Sequence, residues 1–263
     1  MRFERYVALG DSSTEGLDDP DGNGGFRGWA DRLAEQVAVA SPGLLYANLA
    51  VRGKSAGEIC ATQLAPALAM RPDLATVVGG MNDLLRSRWD AARVAGVVGE
   101  MVAGLRGIGA TVVTFTIPDV SQRMRLGRTL TAKTAALNVE IRKMAQATGA
   151  VLLDLANYEI AEDPRVWARD RIHGNPDGHA RIADALAHLL GLPDAKEDGF
   201  TRPLPSQDRR RRDVLVEDLA WAAKFVAPWA WRRLRGRTTG DGITAKRPEL
   251  TPVGPLAHAR AGS

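Results

Sequence analysis

Apolar residues along the chain fall into short unbroken runs separated by longer stretches of helical spacing. YVALG (6–10), LLYANLA (44–50), LATVVGG (74–80), TVVTFTI (111–117) and AVLLDLA (150–156) lack the polar alternation of half-exposed strands and read as five buried ones. Between them, Trp29–Val39, Ala56–Met70, Ala91–Gly107 and Thr131–Thr148 repeat apolar residues every three or four positions, and a last such segment runs from Pro176 to Leu190. Strand and helix in regular alternation predict a parallel five-stranded sheet with helices on both faces, a three-layer α/β/α domain over residues 1–192. In such sheets ligands bind beyond the carboxyl ends of the strands. Polar, glycine-containing sequences stand there after the first three strands, GDSSTEG (10–16), VRGKSAG (51–57) and GGMND (79–83), and RDRIHGNPDGH (169–179) precedes the last helix.

The pattern changes after Leu192. Residues 193–212 read as a linker ending in four arginines, and 213–237 as a basic amphipathic helical segment with Leu215, Leu219, Ala222 and Val226 on one face and Pro228 interrupting it. Residues 238–263 are rich in glycine and proline and read as a loose tail. The chain of 263 residues, 45% of them hydrophobic, suffices for one full core plus this appendage. Its formal charge of +4 is uneven: 22 Lys/Arg against 25 Asp/Glu in 1–198, a net −3, and 13 against 6 in 199–263, a net +7. A mildly acidic main body argues against nucleic acid as a partner. The basic segment 209–237, with Trp221, Trp229 and Trp231 among its arginines, fits either a helix docked on the domain or weak contact with an anionic membrane surface. Cys60, the single cysteine, can form no intrachain disulfide, the N-terminal MRFERYVALG lacks the long apolar core of a secretion signal, and no uninterrupted apolar run approaches about 18 residues. The expected location is cytoplasmic.

Acyl transfer by a serine needs a base for the hydroxyl proton, an acid to orient that base, and donors for the developing oxyanion. The four loops offer each: Ser12 just past the first strand, His173 as a base, Asp170 three residues before it as the orienting acid, Gly53 for a close backbone N–H and Asn82 for a side-chain amide. Singly, each has an ordinary explanation, since serine caps turns, glycine permits positive φ and histidine fills cores. Their joint placement at strand ends gives them weight together.

GDSSTEG, the glycine of VRGKSAG, GMND, and the D-x-x-H of Asp170–His173 followed by GHARIA resemble, in order and spacing, the four blocks of the SGNH, or GDSL, hydrolases, over residues 6 to about 190. The resemblance implies a flavodoxin-like sheet, Ser12 as nucleophile, His173 as general base, Asp170 as its orienter, and an oxyanion hole from the Ser12 N–H, the Gly53 N–H and the Asn82 side chain. It implies a serine esterase or acylhydrolase working through an acyl-enzyme on a small-molecule ester, with acyl transfer or thioester cleavage as the alternative on the same site; the alternative of another class, a catalytically weak membrane-surface protein, rests on the basic tail instead. Ser13-Thr14 stand where leucine or isoleucine often follows the GDS, which makes Ser13 a second candidate nucleophile, and Gly174 replaces the proline that commonly follows the histidine. Asp11 and Asp83 read as supporting carboxylates behind the reacting groups, and His179 as structural. Four histidines and one cysteine show no metal-ligand spacing, and no cofactor is expected.

Two rival motifs fail on single positions. A phosphate-binding loop at NLAVRGKS would need glycine where Asn48 stands, and a G-x-S-x-G elbow would need glycine at Thr14.

Overall fold

The computed structural model of the protein describes residues 2–86, 89–119, 128–193, 195, 200, 201, 204, 221, 224, 225, 231, 235 and 238–254. The first apolar run forms strand β1 (Arg5–Leu9), which exits through a one-turn helix, α1 (Ser12–Glu15). Helix α2 (Gly28–Ala40) leads to β2 (Leu45–Asn48). A continuous helical stretch follows, made of α3 (Ala56–Ile59), a wider π turn at Cys60–Leu64 and α4 (Ala65–Met70), and ends at β3 (Leu74–Val77). The turn α5 (Met81–Leu84), helix α6 (Ala91–Gly107), β4 (Thr111–Phe115), α7 (Arg128–Thr148) and β5 (Val151–Leu153) come next. Helix α8 (Pro176–Leu189) and strand β6 (Arg247–Pro252) complete the order.

The strands lie in the order β5-β4-β3-β1-β2-β6. The first five in sequence are mutually parallel, in the flavodoxin-like order 2-1-3-4-5, so the direction of winding reverses at β1. The α/β architecture read from the alternating pattern is therefore the one observed, with six strands rather than five. The sixth, β6, runs antiparallel to β2 with Tyr46 opposite Thr251, and it lies inside the stretch read as loose. RPELTP carries two prolines and alternates no apolar residues, which only an edge strand tolerates and which an apolar-pattern reading passes over.

Side chains of β1 point alternately into two cores. Tyr6 and Ala8 join Trp29, Leu33 and Val37 of α2 and Leu186 of α8 on one face, with Trp29 edge-on to Phe115 at 5.1 Å. Val7 and Leu9 join Ile59, Val98, Met101, Leu105 and Leu137 on the other. A strand buried on both faces must be apolar at every position, which is why these runs show no alternation.

Element ends differ from the apolar runs where a polar side chain takes over. β5 stops at Leu153 because Asp154 turns to Arg142 (2.8 Å) and to the Thr116 hydroxyl (2.7 Å). The linker 193–212 and the helical segment 213–237 lie largely outside the described residues. Of those described, Trp221 is buried against Met81, Leu130, Ile172 and Phe225, while Trp231 is exposed beneath Arg235. No helix among the described residues is long and apolar enough to cross a membrane.

Candidate active site

The chain leaves β1 at Leu9, and Asp11 caps the single turn α1 by accepting from the Ser13 N–H (3.2 Å). Ser12 is thereby the first residue of a helix turn, held just beyond the sheet. On the far side, the loop between Trp167 and Gly174 closes on itself through Ala168 N–H to His173 O (2.8 Å), and the Asp170 carboxylate accepts from the Ile172 and His173 N–H groups. Asn175 caps α8 by accepting from the Gly178 N–H (2.9 Å), and Pro176 opens it.

These two loops bring Ser12 and His173, 161 residues apart, to an Oγ–Nε2 distance of 2.7 Å. His173 Nδ1 lies 2.5 Å from Asp170 Oδ2. An ionised carboxylate can only accept, so Nδ1 carries a proton, and in the neutral ring Nε2 is left to accept from the serine hydroxyl. Burial disfavours the His173 imidazolium, yet hydrogen bonding and charge from Asp170 and Asp18 carry its pKa up to about 9. Burial likewise opposes ionisation of Asp170, but its bond to His173 holds that carboxyl below the usual range. Ser13, the second candidate, shows its N–H on Asp11, while Ser12 holds the bond to the imidazole.

Gly53 follows β2 in a left-handed conformation (φ 78°) that a side chain would strain. A Cβ there would stand 3.0 Å from Thr239 Oγ1 and 3.3 Å from Gly240 N, so the C-terminal segment packs directly on this turn. Among the described residues, the N–H groups of Ser12 and Gly53 take no acceptor. Asn82 donates both Nδ2 hydrogens, to Asp11 (3.1 Å) and to Lys54 O (2.9 Å), so any further acceptor would have to share one of them. Burial pushes the Asp11 carboxyl up to about 6, against the lowering effect of Ser13 N–H and the nearby His173. Asp83, also raised by burial, accepts from Ala56 N–H (2.9 Å) and ties the start of α3 to α5. Asp11 thus bonds Asn82 and the turn that carries Ser12, and Asp83 bonds the start of α3.

His179 is buried and takes no part in the line. It accepts the Trp29 N–H at Nδ1 (3.1 Å) and donates from Nε2 to Leu17 O (3.0 Å), and burial lowers its pKa to about 4.

Several residues hold the site through contacts that were not read from the sequence. Glu15, 4% exposed, accepts from Arg52 N–H (2.8 Å) and pairs with the Arg52 guanidinium, joining the Gly53 turn to α1. Gln63, turned inward by the π turn, brackets Gly10 with bonds to its N–H (2.8 Å) and carbonyl (2.9 Å). Asn48 donates to Thr14 O (2.9 Å), a structural use of the position that spoiled the phosphate-loop motif. Trp221 donates from Nε1 to Asp170 O (2.8 Å) under the Arg171 guanidinium. Glu15 and Arg52 do stand in the quoted loops, but nothing in one sequence pairs them.

Asp18, Asp170 and His173 place oxygen and nitrogen atoms within 4.8 Å of one another. His173 Nδ1 is hydrogen-bonded to Asp170, so a metal at that nitrogen would have to displace the proton the bond uses. Within the cluster Asp170 is the direct partner of His173, and Asp18 stands second, 3.6 Å from the same nitrogen.

Residues 8–181 match the model of the GDSL-like lipase/acylhydrolase family. GDSL lipase Rv0518 of Mycobacterium tuberculosis is 27% identical over 206 residues, covering 73% of this chain and 83% of that protein. Among solved structures, LAE5, an alpha/beta hydrolase enzyme from the metagenome of Lake Arreo, superposes with a TM-score of 0.60 at 21% identity, over 72% of this chain and 95% of its own. Axe2, an acetylxylan esterase from Geobacillus stearothermophilus, gives 0.58 at 16% identity, over 74% and 97%. At these identities the two structures speak for the fold.

Proposed function

The chain belongs to the GDSL-like lipase/acylhydrolase family and is an ester-cleaving hydrolase, and from that premise we propose that it acts through Ser12, His173 and Asp170 by way of an acyl-enzyme. The observation that carries this reading is the unbroken hydrogen-bonded line from Asp170 through His173 to Ser12, 2.5 and 2.7 Å long. As Ser12 Oγ attacks the ester carbonyl carbon, its proton passes to His173 Nε2, and Asp170 holds the ring through Nδ1–H. The carbonyl electron pair moves onto oxygen, where the Ser12 and Gly53 N–H groups and the Asn82 amide receive the charge. Collapse expels the alcohol, which takes the proton back from Nε2. Water then attacks the acyl-enzyme by the same route and frees the acid and Ser12. That one relative is a lipase and one structural neighbour an acetylxylan esterase supports a carboxylic ester of a small molecule as the bond cleaved.

Hydrolysis of p-nitrophenyl acetate tests the assignment. Ser12→Ala and His173→Ala are expected to lose about 10³-fold or more in kcat, and Asn82→Ala about 10²- to 10³-fold with little change in KM. Ser13→Ala keeps activity within a few-fold. An initial burst of p-nitrophenolate equal to the enzyme concentration, absent in Ser12→Ala, is the mark of the acyl-enzyme. Full turnover by Ser12→Ala would overturn the reading.

A further inference from the structure

A second carboxylate reaches His173. Asp18 Oδ2 lies 3.6 Å from His173 Nδ1, beyond the 2.5 Å bond to Asp170 but within ion-pair range. Asp18 comes from a different loop, the one that follows α1, and its backbone is left-handed (φ 66°), a conformation that strains most residues with a Cβ. Its neighbours are what hold it there. Leu17 O accepts from the buried His179, and Leu17 N–H donates to Ser12 O (3.2 Å). On the other side Asp19, 1% exposed, accepts from Gly28 N–H (3.0 Å) and from Arg32 Nε (2.8 Å) and Nη2 (2.9 Å). Gly16 and Gly28 meet so closely that a Cβ on Gly28 would lie 2.3 Å from Gly16 Cα, which locks the loop against the start of α2. Residues 17 and 19 are thus fixed by buried groups, and residue 18 between them is turned outward toward the histidine, its side chain 45% exposed.

We infer that Asp18 is a positioning residue for His173, a second carboxylate that keeps the ring in its Nδ1–H form and pairs with the imidazolium formed in each proton transfer. The inference rests on the reading of His173 as the general base. Among the described residues, the other ionisable groups facing His173 are Asp170, its direct partner, Asp11 behind Ser12, and His179, which burial keeps neutral above about pH 4. Asp18 adds negative charge at the solvent side of this set, and it contributes to the raised pKa of His173. The base must be deprotonated to act, so Asp18 strengthens it while moving its working range to alkaline pH.

The test is the pH dependence of kcat/KM on p-nitrophenyl acetate for the full chain, its Asp18→Asn and Asp18→Gly variants, and Ser12→Ala and His173→Ala. Asparagine and glycine both accept a positive φ, so both Asp18 variants keep the loop, and their thermal midpoints check this. The expected result is an acid limb moved to lower pH by about one unit in both, discounted for the exposure of Asp18, with activity retained. The His173 ring signal, followed by NMR titration, is expected to move by the same amount, a readout that a purely structural loop residue would leave in place. If both variants keep the wild-type limb and the wild-type ring titration while Ser12→Ala and His173→Ala are inactive, the role of Asp18 alone is overturned. Activity in Ser12→Ala or His173→Ala overturns the underlying assignment, and the inference with it.

Discussion

Ser12 opens a helix of a single turn, too short to hold its own position, so its place depends on the side chains that grip the ends of that turn. Gln63 brackets Gly10, Asn48 takes Thr14 O, and Glu15 binds the backbone and guanidinium of Arg52. In the proposed mechanism Glu15 matters most for chemistry, because Arg52 precedes Gly53 and the two loops would have to keep register for the serine and the N–H donors to serve one carbonyl. Glu15→Ala leaves a largely buried guanidinium unpaired and the Arg52 N–H without its acceptor. The expected cost is about 3 kcal/mol of stability by urea denaturation. A fall in kcat of up to about 10²-fold with a smaller change in KM is expected alongside, since misplacement of about 1 Å is enough. A kcat unchanged in the folded variant would show that the Gly53 turn keeps its place without Glu15.

At the scale of elements, the buried strands and the amphipathic helices were legible because each carries one periodicity and one environment. Alternate residues of β1 feed opposite cores, so the whole run must be apolar, and a run of that kind is visible without a structure. β6 was not legible, because an exposed edge strand has no such requirement. It is pinned by charge and backbone pairing instead. Lys246 Nζ lies 2.9 Å from Asp31 Oδ2 and bonds Phe26 O (2.9 Å) and Arg27 O (2.8 Å), while Tyr46 donates to the other Asp31 oxygen (2.8 Å). Burial raises the Asp31 pKa and Lys246 opposes that rise. Lys246→Met is therefore expected to cost about 3 kcal/mol at pH 8, where Asp31 is ionised and loses its cation. The cost shrinks toward pH 5, where the carboxyl can take up a proton, and denaturation curves at the two values measure the difference.

At the scale of the whole molecule, the charge around His173 is assembled from loops that are far apart in sequence: Asp11 and Asp18 from the exit of β1, Asp170 from the loop before α8. The folded pKa of about 9 stands above the ordinary histidine value of 6.5. The imidazolium therefore stabilises the fold fully below about pH 6.5, and this contribution is lost as pH rises through 9. His173→Gln is expected to be less stable than the wild type at pH 6, with the gap narrowing toward pH 10. Equal gaps at both values would mean that the carboxylates around His173 do not hold its proton in the folded state. The four polar loops were legible as a family pattern at strand ends, and the parallel alternation dictated that strand ends share one side of the sheet. By itself the sequence determined the layered fold, the GDS serine and the D-x-x-H pair, because apolar runs and short motifs are local. The tertiary structure alone decided the sixth strand, the pairing of Glu15 with Arg52, the inward Gln63 and the approach of Asp18 to His173. Each of those is a contact between distant polar groups, whose partners are chosen by distance in the folded chain and leave no periodicity along it.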